Sequence, residues 1–281
     1  MSKDEVILLV GHGSRHEPGN EEILRFADLW QQRNPEADIE VCFIELAEPL
    51  LDAGLDNAAA KADRVIVVPL ILNAAGHVKM EIPEYIEQAR SNHPNTEFIY
   101  ARHLGANEQI LQILKRNLHQ TQLEMDVPDP HSTGVIILGR GSSDRIANGE
   151  IAKMARWLYE ESEHELVDIA FTGITHPRLE TAVRRQVQQG MTQIAILPYY
   201  LFTGLLMERI KQQIKHIKIQ YPQLRFGCAK YAGFEDEIFE LLDQRVAEAR
   251  GDKSEAVMME CDGCQYRSQA EKHDHGHHHH H

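Results

Sequence analysis

Val10-Gly11-His12-Gly13-Ser14 returns at an offset of 128 residues as Leu138-Gly139-Arg140-Gly141-Ser142. Each copy follows a short run of Val, Ile and Leu, so each reads as the end of a strand turning into a loop. The match continues at the same offset. Phe43-Ile44-Glu45-Leu46-Ala47-Glu48-Pro49 falls on Phe171-Thr172-Gly173-Ile174-Thr175-His176-Pro177. Further on, Pro69 to Pro83 lines up with Pro198 to Ile210 after a small gap, setting His77 against Leu205. The chain is therefore a duplication, and the copies differ where chemistry would show: His12, Glu45 and His77 in the first are Arg140, Gly173 and Leu205 in the second.

Within each copy, short apolar runs alternate with amphipathic stretches. Strands are expected near 5–10, 38–44, 64–70 and 97–101, then near 134–138, 167–171, 193–197 and 225–229. Helices are expected near 20–33, 49–60, 82–91 and 106–117, then near 145–161, 177–188, 206–219 and 235–250. The strand runs lack clean alternation, which suits parallel strands covered on both faces. Repeated βα alternation predicts an α/β fold with two duplicated Rossmann-like lobes, each a parallel sheet flanked by helices. The expected division is a first lobe at 1–119 carrying the active site, a linker at 120–133 with Pro128 and Pro130, a second lobe at 134–250 lacking the metal site, and a tail at 251–281 that builds no core.

The 281 residues suffice for two lobes with their own cores, and the formal charge of −14 argues against nucleic acid or an anionic membrane as partner. The polar start Met1-Ser2-Lys3-Asp4-Glu5 does not read as a signal peptide and apolar runs fall short of a membrane span, so a cytoplasmic protein is expected. Cys42 and Cys228 sit in apolar strand contexts and read as small core residues. Cys261 and Cys264 form a Cys-x-x-Cys pair in the tail, and seven of the last nine residues are His. Such a pair in a reducing compartment suits metal or redox chemistry.

Parallel α/β sheets bind ligands outside the carboxyl ends of their strands. His12, Glu45 and His77 all follow strands of the first copy, and two imidazoles with one carboxylate suit a divalent first-row ion with coordination positions left open. Taken singly, His12 could merely cap a turn. Gly13, Ser14 and Arg15 offer an anion cradle, Gly76 beside His77 allows close approach of a ligand, and Glu81 stands where it could assist metal entry.

The ordered trio Gly11-His12-Gly13-Ser14-Arg15, Phe43-Ile44-Glu45-Leu46-Ala47-Glu48-Pro49 and Ala75-Gly76-His77-Val78-Lys79-Met80-Glu81-Ile82-Pro83 resembles the class II chelatases of the CbiX and SirB type over nearly the whole chain. The resemblance implies insertion of Co²⁺ or iron into sirohydrochlorin, on the way to cobalamin or sirohaem. It makes His12 and His77 the metal-binding and proton-accepting histidines, with Glu45 as their carboxylate partner. Gly13, Ser14, Arg15, Gly76 and Arg140 are then candidates to touch substrate. Met259-Glu260-Cys261-Asp262-Gly263-Cys264 and the terminal His run look like the iron–sulfur segment and histidine-rich stretch of the long form of CbiX, and a homodimer would bring together four cysteines for a cluster. Cobalt is the expected metal. The alternatives are a sirohydrochlorin ferrochelatase and a non-catalytic metal-storage or delivery protein. A histidine phosphotransfer enzyme using His12 is disfavoured, because Val10-Gly11 stands where such enzymes want Arg before His-Gly.

Overall fold

A computed structural model of the chain describes residues 5–125 and 129–251. The first copy runs β1 (Val6–Gly11), α1 (Glu17–Arg33), β2 (Ile39–Phe43), α2 (Leu51–Ala59), β3 (Arg64–Pro69), a π-helical turn (His77–Glu81), α3 (Ile82–Asn92), β4 (Glu97–Tyr100) and α4 (Glu108–Glu124). The second runs β5 (Thr133–Gly139), α5 (Arg145–Glu160), β6 (Val167–Phe171), α6 (Leu179–Gln188), β7 (Gln193–Pro198), α7 (Leu205–Gln220), β8 (Arg225–Cys228) and α8 (Asp236–Arg250). The strands form two four-stranded sheets, ordered β2-β1-β3-β4 and β6-β5-β7-β8. Every pairing is parallel. The doubly wound lobes expected from the repeat are therefore present.

The central strands are buried throughout, as their unbroken apolar runs require: β1, β5 and β7 expose no residue. Beside β1, β2 and β3, the residues Leu8, Val10, Cys42, Val65 and Val67 form one core with Leu51 and Leu55 of α2 and Ile82 and Ile86 of α3. Ile136, Leu138, Ile194 and Ile196 form its counterpart with Leu179 and Val183 of α6 and Ile210 and Ile214 of α7. The duplication extends to backbone detail. Phe43 donates to the Pro49 carbonyl at 2.9 Å, and Phe171 to that of Pro177 at 2.9 Å, each closing a loop that contains a cis X-Pro bond.

Two features of the helices depart from the sequence reading. The segment expected to be linker from 120 onward is still helix to Glu124. Its period is hidden because polar residues occupy the inward positions. Thr121 and Gln122 are buried three and four residues after Leu118. The Thr121 hydroxyl donates to the Asn117 carbonyl at 2.7 Å, and Gln122 meets Nε2 of His164 at 3.0 Å. The second departure concerns membership of the lobes. The compact units are 5–104 with 240–251, and 105–239. Helix α4 packs on β7, β8 and α5, while α8 returns to the first unit. There the Trp30 indole donates to Asp243 at 2.7 Å, and buried Arg245 donates to the carbonyls of His103 and Leu104 at 3.0 and 2.9 Å. The fourth helices are thus exchanged relative to a division at 120–133.

Cys42 is buried as expected, but Cys228 is exposed, because β8 is an edge strand. Among the described residues, no helix is long and apolar enough to cross a membrane.

Burial lowers the His164 pKa, and the amide of Gln122 donates to a ring nitrogen that must stay unprotonated. The unfolded chain therefore binds the proton more readily, so this group's contribution is complete above the unfolded value of about 6.5 and is lost as pH falls below it. The thermal midpoint of the parent should drop more between pH 7.5 and 5.5 than that of His164→Gln. Equal slopes for the two proteins would remove His164 from the account.

Candidate metal centre

β1 lies at the middle of the first sheet between β2 and β3, so the chain ends of these three strands are neighbours. His12 follows β1, Glu45 follows β2, and His77 opens the π-helical turn after β3. The fold brings all three together: one ligand atom of each lies within 4.8 Å of the others. The His12 and His77 rings meet edge-on with centroids 4.7 Å apart, and Nδ1 of His12 is 3.7 Å from Oε1 of Glu45. Ligand atoms bound at ~2.1 Å around one ion stand roughly 3–4 Å apart, so movements of about an ångström would complete a coordination sphere. All three side chains are partly exposed, which leaves room for a substrate on the open side.

Local geometry explains how these residues are held. Gly13 has φ +83°, and a Cβ there would stand 1.7 Å from the Glu45 carbonyl oxygen, so the two loops touch backbone to backbone. The Glu45 amide donates to the His12 carbonyl at 3.2 Å, fixing the separation of the two loops. Leu46 follows with φ +64°, and the loop closes where Phe43 bridges to Leu50. His77 is placed by the wide π-helical turn, a form that recurs at functional sites.

The rings are oriented by oxygen acceptors on the same nitrogen. Nδ1 of His77 is 2.7 Å from Oε2 of Glu81, four residues on, and Nδ1 of His12 is 3.1 Å from the Gly13 carbonyl. A neutral ring that donates to such an acceptor carries its proton on Nδ1, which leaves the Nε2 lone pair as the one that could reach a metal. Glu81, read from sequence as a helper of metal entry, is placed on the histidine instead. Its four-residue spacing from His77 is the signal that could have revealed the pairing.

The remaining expectations fare differently. The Ser14 hydroxyl accepts from the His16 amide at 3.0 Å, and its carbonyl accepts from Asn20 at 2.8 Å, so Ser14 has a turn-building role; Arg15 is exposed. Gly76 has right-handed helical angles, and a Cβ there would meet nothing within 4 Å, so the chain itself does not demand glycine. Arg140 stands at the matching strand end of the second unit and is exposed. Cys261, Cys264 and the terminal histidines lie outside the described residues.

The comparisons agree with this arrangement. The profile of the CbiX family matches twice, over residues 6–121 and 134–249. The chain is 38% identical over 262 residues to the sirohydrochlorin cobaltochelatase of Priestia megaterium, covering 93% of this chain and 84% of that one. It is 30% identical over 244 residues to the sirohydrochlorin ferrochelatase of the same organism, covering 86% and 89%. The solved structure of SirB from Bacillus subtilis with Fe3+ superposes with a TM-score of 0.77 at 28% identity, covering 91% of this chain and 99% of that chain. With both halves matched by one profile, and with His12, Glu45 and His77 gathered at the first sheet, the chain belongs to the CbiX family.

Proposed function

We propose that this chain is a sirohydrochlorin chelatase that inserts Co²⁺. The observation that carries the reading is the convergence of His12, Glu45 and His77 from three adjacent strand ends. Insertion breaks two pyrrole N–H bonds, forms metal–nitrogen bonds and releases two protons, while the ion sheds its water. His12, Glu45 and His77 hold the ion, and one imidazole takes one of the two ring protons as the metal leaves, the other passing to solvent. An imidazole suits both tasks because its unperturbed pKa of about 6.5 lies close to neutrality. The Glu45 carboxylate offsets the charge of the incoming ion.

Cobalt is favoured over iron by the higher identity to the cobalt relative, 38% against 30%. Iron remains the second reading, supported by the ferrochelatase relative. The affinity order of divalent ions does not itself choose between them. The deciding experiment is an anaerobic absorbance assay with sirohydrochlorin and Co²⁺, Fe²⁺ or Ni²⁺ in separate cuvettes, beside His12→Ala. Conversion fastest with Co²⁺ and abolished in the variant is the expected result. Rates equal to the spontaneous reaction with every metal would overturn the chelatase reading in favour of metal storage. Removing residues after Gly251 should then abolish most bound metal, whereas a chelatase keeps its turnover at ample metal.

Glu81→Ala should weaken Co²⁺ binding by roughly 10–100-fold by releasing the His77 ring. Glu81→Gln, which can still accept from Nδ1, should restore part of the loss. Parent-like affinity in Glu81→Ala, read from a Co²⁺ absorbance titration, would deny Glu81 this role.

A further inference from the structure

The carboxyl edge of the second sheet carries the opposite charge from that of the first. At the constant offset of 128, His12, Glu45, His77 and Glu81 become Arg140, Gly173, Leu205 and Arg209, and Leu50 becomes Arg178. His12 and Glu81 have thus given way to arginines, a third arginine stands at the position of Leu50, and the Glu45 carboxylate is gone. The structure shows where two of the arginines lie. Nη1 of Arg178 is 3.8 Å from the position a Cβ on Gly173 would take, so the guanidinium stands beside the place where the first lobe begins the Glu45 side chain. Arg209 lines a cavity of about 470 Å³ with Thr172, Leu205, Leu206 and Gln212. Glu208, also on that wall, is paired with Lys211 at 2.7 Å.

Arg140 is tied to the same wall. The Thr172 hydroxyl lies 3.4 Å from the Arg140 carbonyl and 2.8 Å from the Tyr200 hydroxyl. Burial raises the Tyr200 phenol, which ends at about 12 against the opposing pull of the Thr172 hydrogen bond and the Arg140 charge. Two apolar side chains are exposed on these strand-end segments, Leu205 on the cavity wall at 50% and Ile174 next to Gly173 in sequence at 60%. Ile174 also has φ +61°, a conformation that a β-branched residue rarely adopts. Exposed apolar side chains of this kind gain free energy only when something covers them.

We propose that this edge of the second lobe is a binding site for the carboxylate arms of an amphiphilic polycarboxylate, with Arg140, Arg178 and Arg209 as anion partners and Ile174 and Leu205 as apolar supports. Guanidinium groups pair bidentately with carboxylates, and a local cationic cluster is what an anionic ligand needs on a chain of net charge −14. The identity of the ligand as sirohydrochlorin rests on the function proposed above. Duplication thus divides the labour: one copy keeps the metal ligands, and the other turns the same strand ends toward the acid groups of the organic substrate.

The test is the Arg140→Glu/Arg209→Glu double variant of the full chain, with Arg140→Gln/Arg209→Gln as the milder form. Binding of metal-free sirohydrochlorin is followed by fluorescence, Co²⁺ binding by absorbance, and turnover separately. The expected result is a Kd and KM for sirohydrochlorin raised roughly tenfold or more, a smaller rise in the Gln form, a larger effect on KM than on kcat, and parent-like Co²⁺ affinity. Parent-like Kd and KM in both variants would overturn the site while leaving the chelatase reading intact. A parent that binds sirohydrochlorin through these arginines yet inserts no metal would uphold the site and remove the chelatase reading. A parent that does not bind sirohydrochlorin would remove both.

Discussion

His77→Ala and His12→Ala should each slow metal insertion by roughly 10²-fold or more, the scale lost when a positioned acid–base group is removed. In the proposed function each ring is a ligand of the same ion, and the two stand together with centroids 4.7 Å apart, so their losses should not add. The double variant is expected to fall little below the worse single one. Both rings are partly exposed, and their removal opens no core cavity, so thermal midpoints should stay near the parent's. Sirohydrochlorin binding should persist, because the proposed carboxylate contacts lie on the second lobe. The check is a set of anaerobic initial rates at saturating metal together with melting curves. More than a tenth of the parent rate in both single variants would end the assignment of this centre to catalysis.

Gly13→Ala should destabilise the first lobe by about 3 kcal/mol or more, the range expected when a methyl group is forced into backbone at a left-handed angle. A drop of about 10 °C in the melting of that lobe is the corresponding shift. The cause is specific. The new Cβ would stand 1.7 Å from the Glu45 carbonyl oxygen and 2.9 Å from its carbon, at a φ of +83°. A backbone carbonyl cannot rotate aside like a side chain, so Glu45 must move, and Co²⁺ affinity should fall with stability. Gly76→Ala is the matched control, being at helical angles with open space around it, and should melt like the parent. Gly141→Ala repeats the experiment in the second lobe, where the clash is with the Gly173 carbonyl at 2.3 Å and no metal ligand is disturbed. A Gly13→Ala protein melting within about 2 °C of the parent would show that the loops can separate more freely than their geometry implies.

Much of this was legible before folding was considered. Strands such as Val6–Gly11 and Thr133–Gly139 are read correctly because buried parallel strands need apolar residues on both faces, and such runs are hard to mistake when they alternate with amphipathic helices. The cluster of His12, Glu45 and His77 was legible because each residue follows a strand and each is lost in the second copy. The end of α4 was not, because Thr121 and Gln122 satisfy their polar groups inside the protein and so carry no apolar signal. Neither Arg178, half-buried just before α6, nor Arg209, exposed on α7, carries a local pattern that sets it apart from a solvated arginine. They gain meaning only beside the Gly173 backbone and the cavity wall.

The sequence by itself determined that there are two copies of one βα plan, which strand ends bear imidazole or carboxylate, and that only the first copy keeps them. Local pattern suffices for this, because hydrophobic period and residue identity are written along the chain. Tertiary structure decided that β2 and β3 flank β1, which turns residues 12, 45 and 77 into a single centre. It decided that Glu81 and the Gly13 carbonyl stand against Nδ1 of His77 and His12, and that α4 and α8 serve each other's lobes. These depend on pairing and packing between segments far apart in the chain, where the free energy comes from contacts that no local window contains.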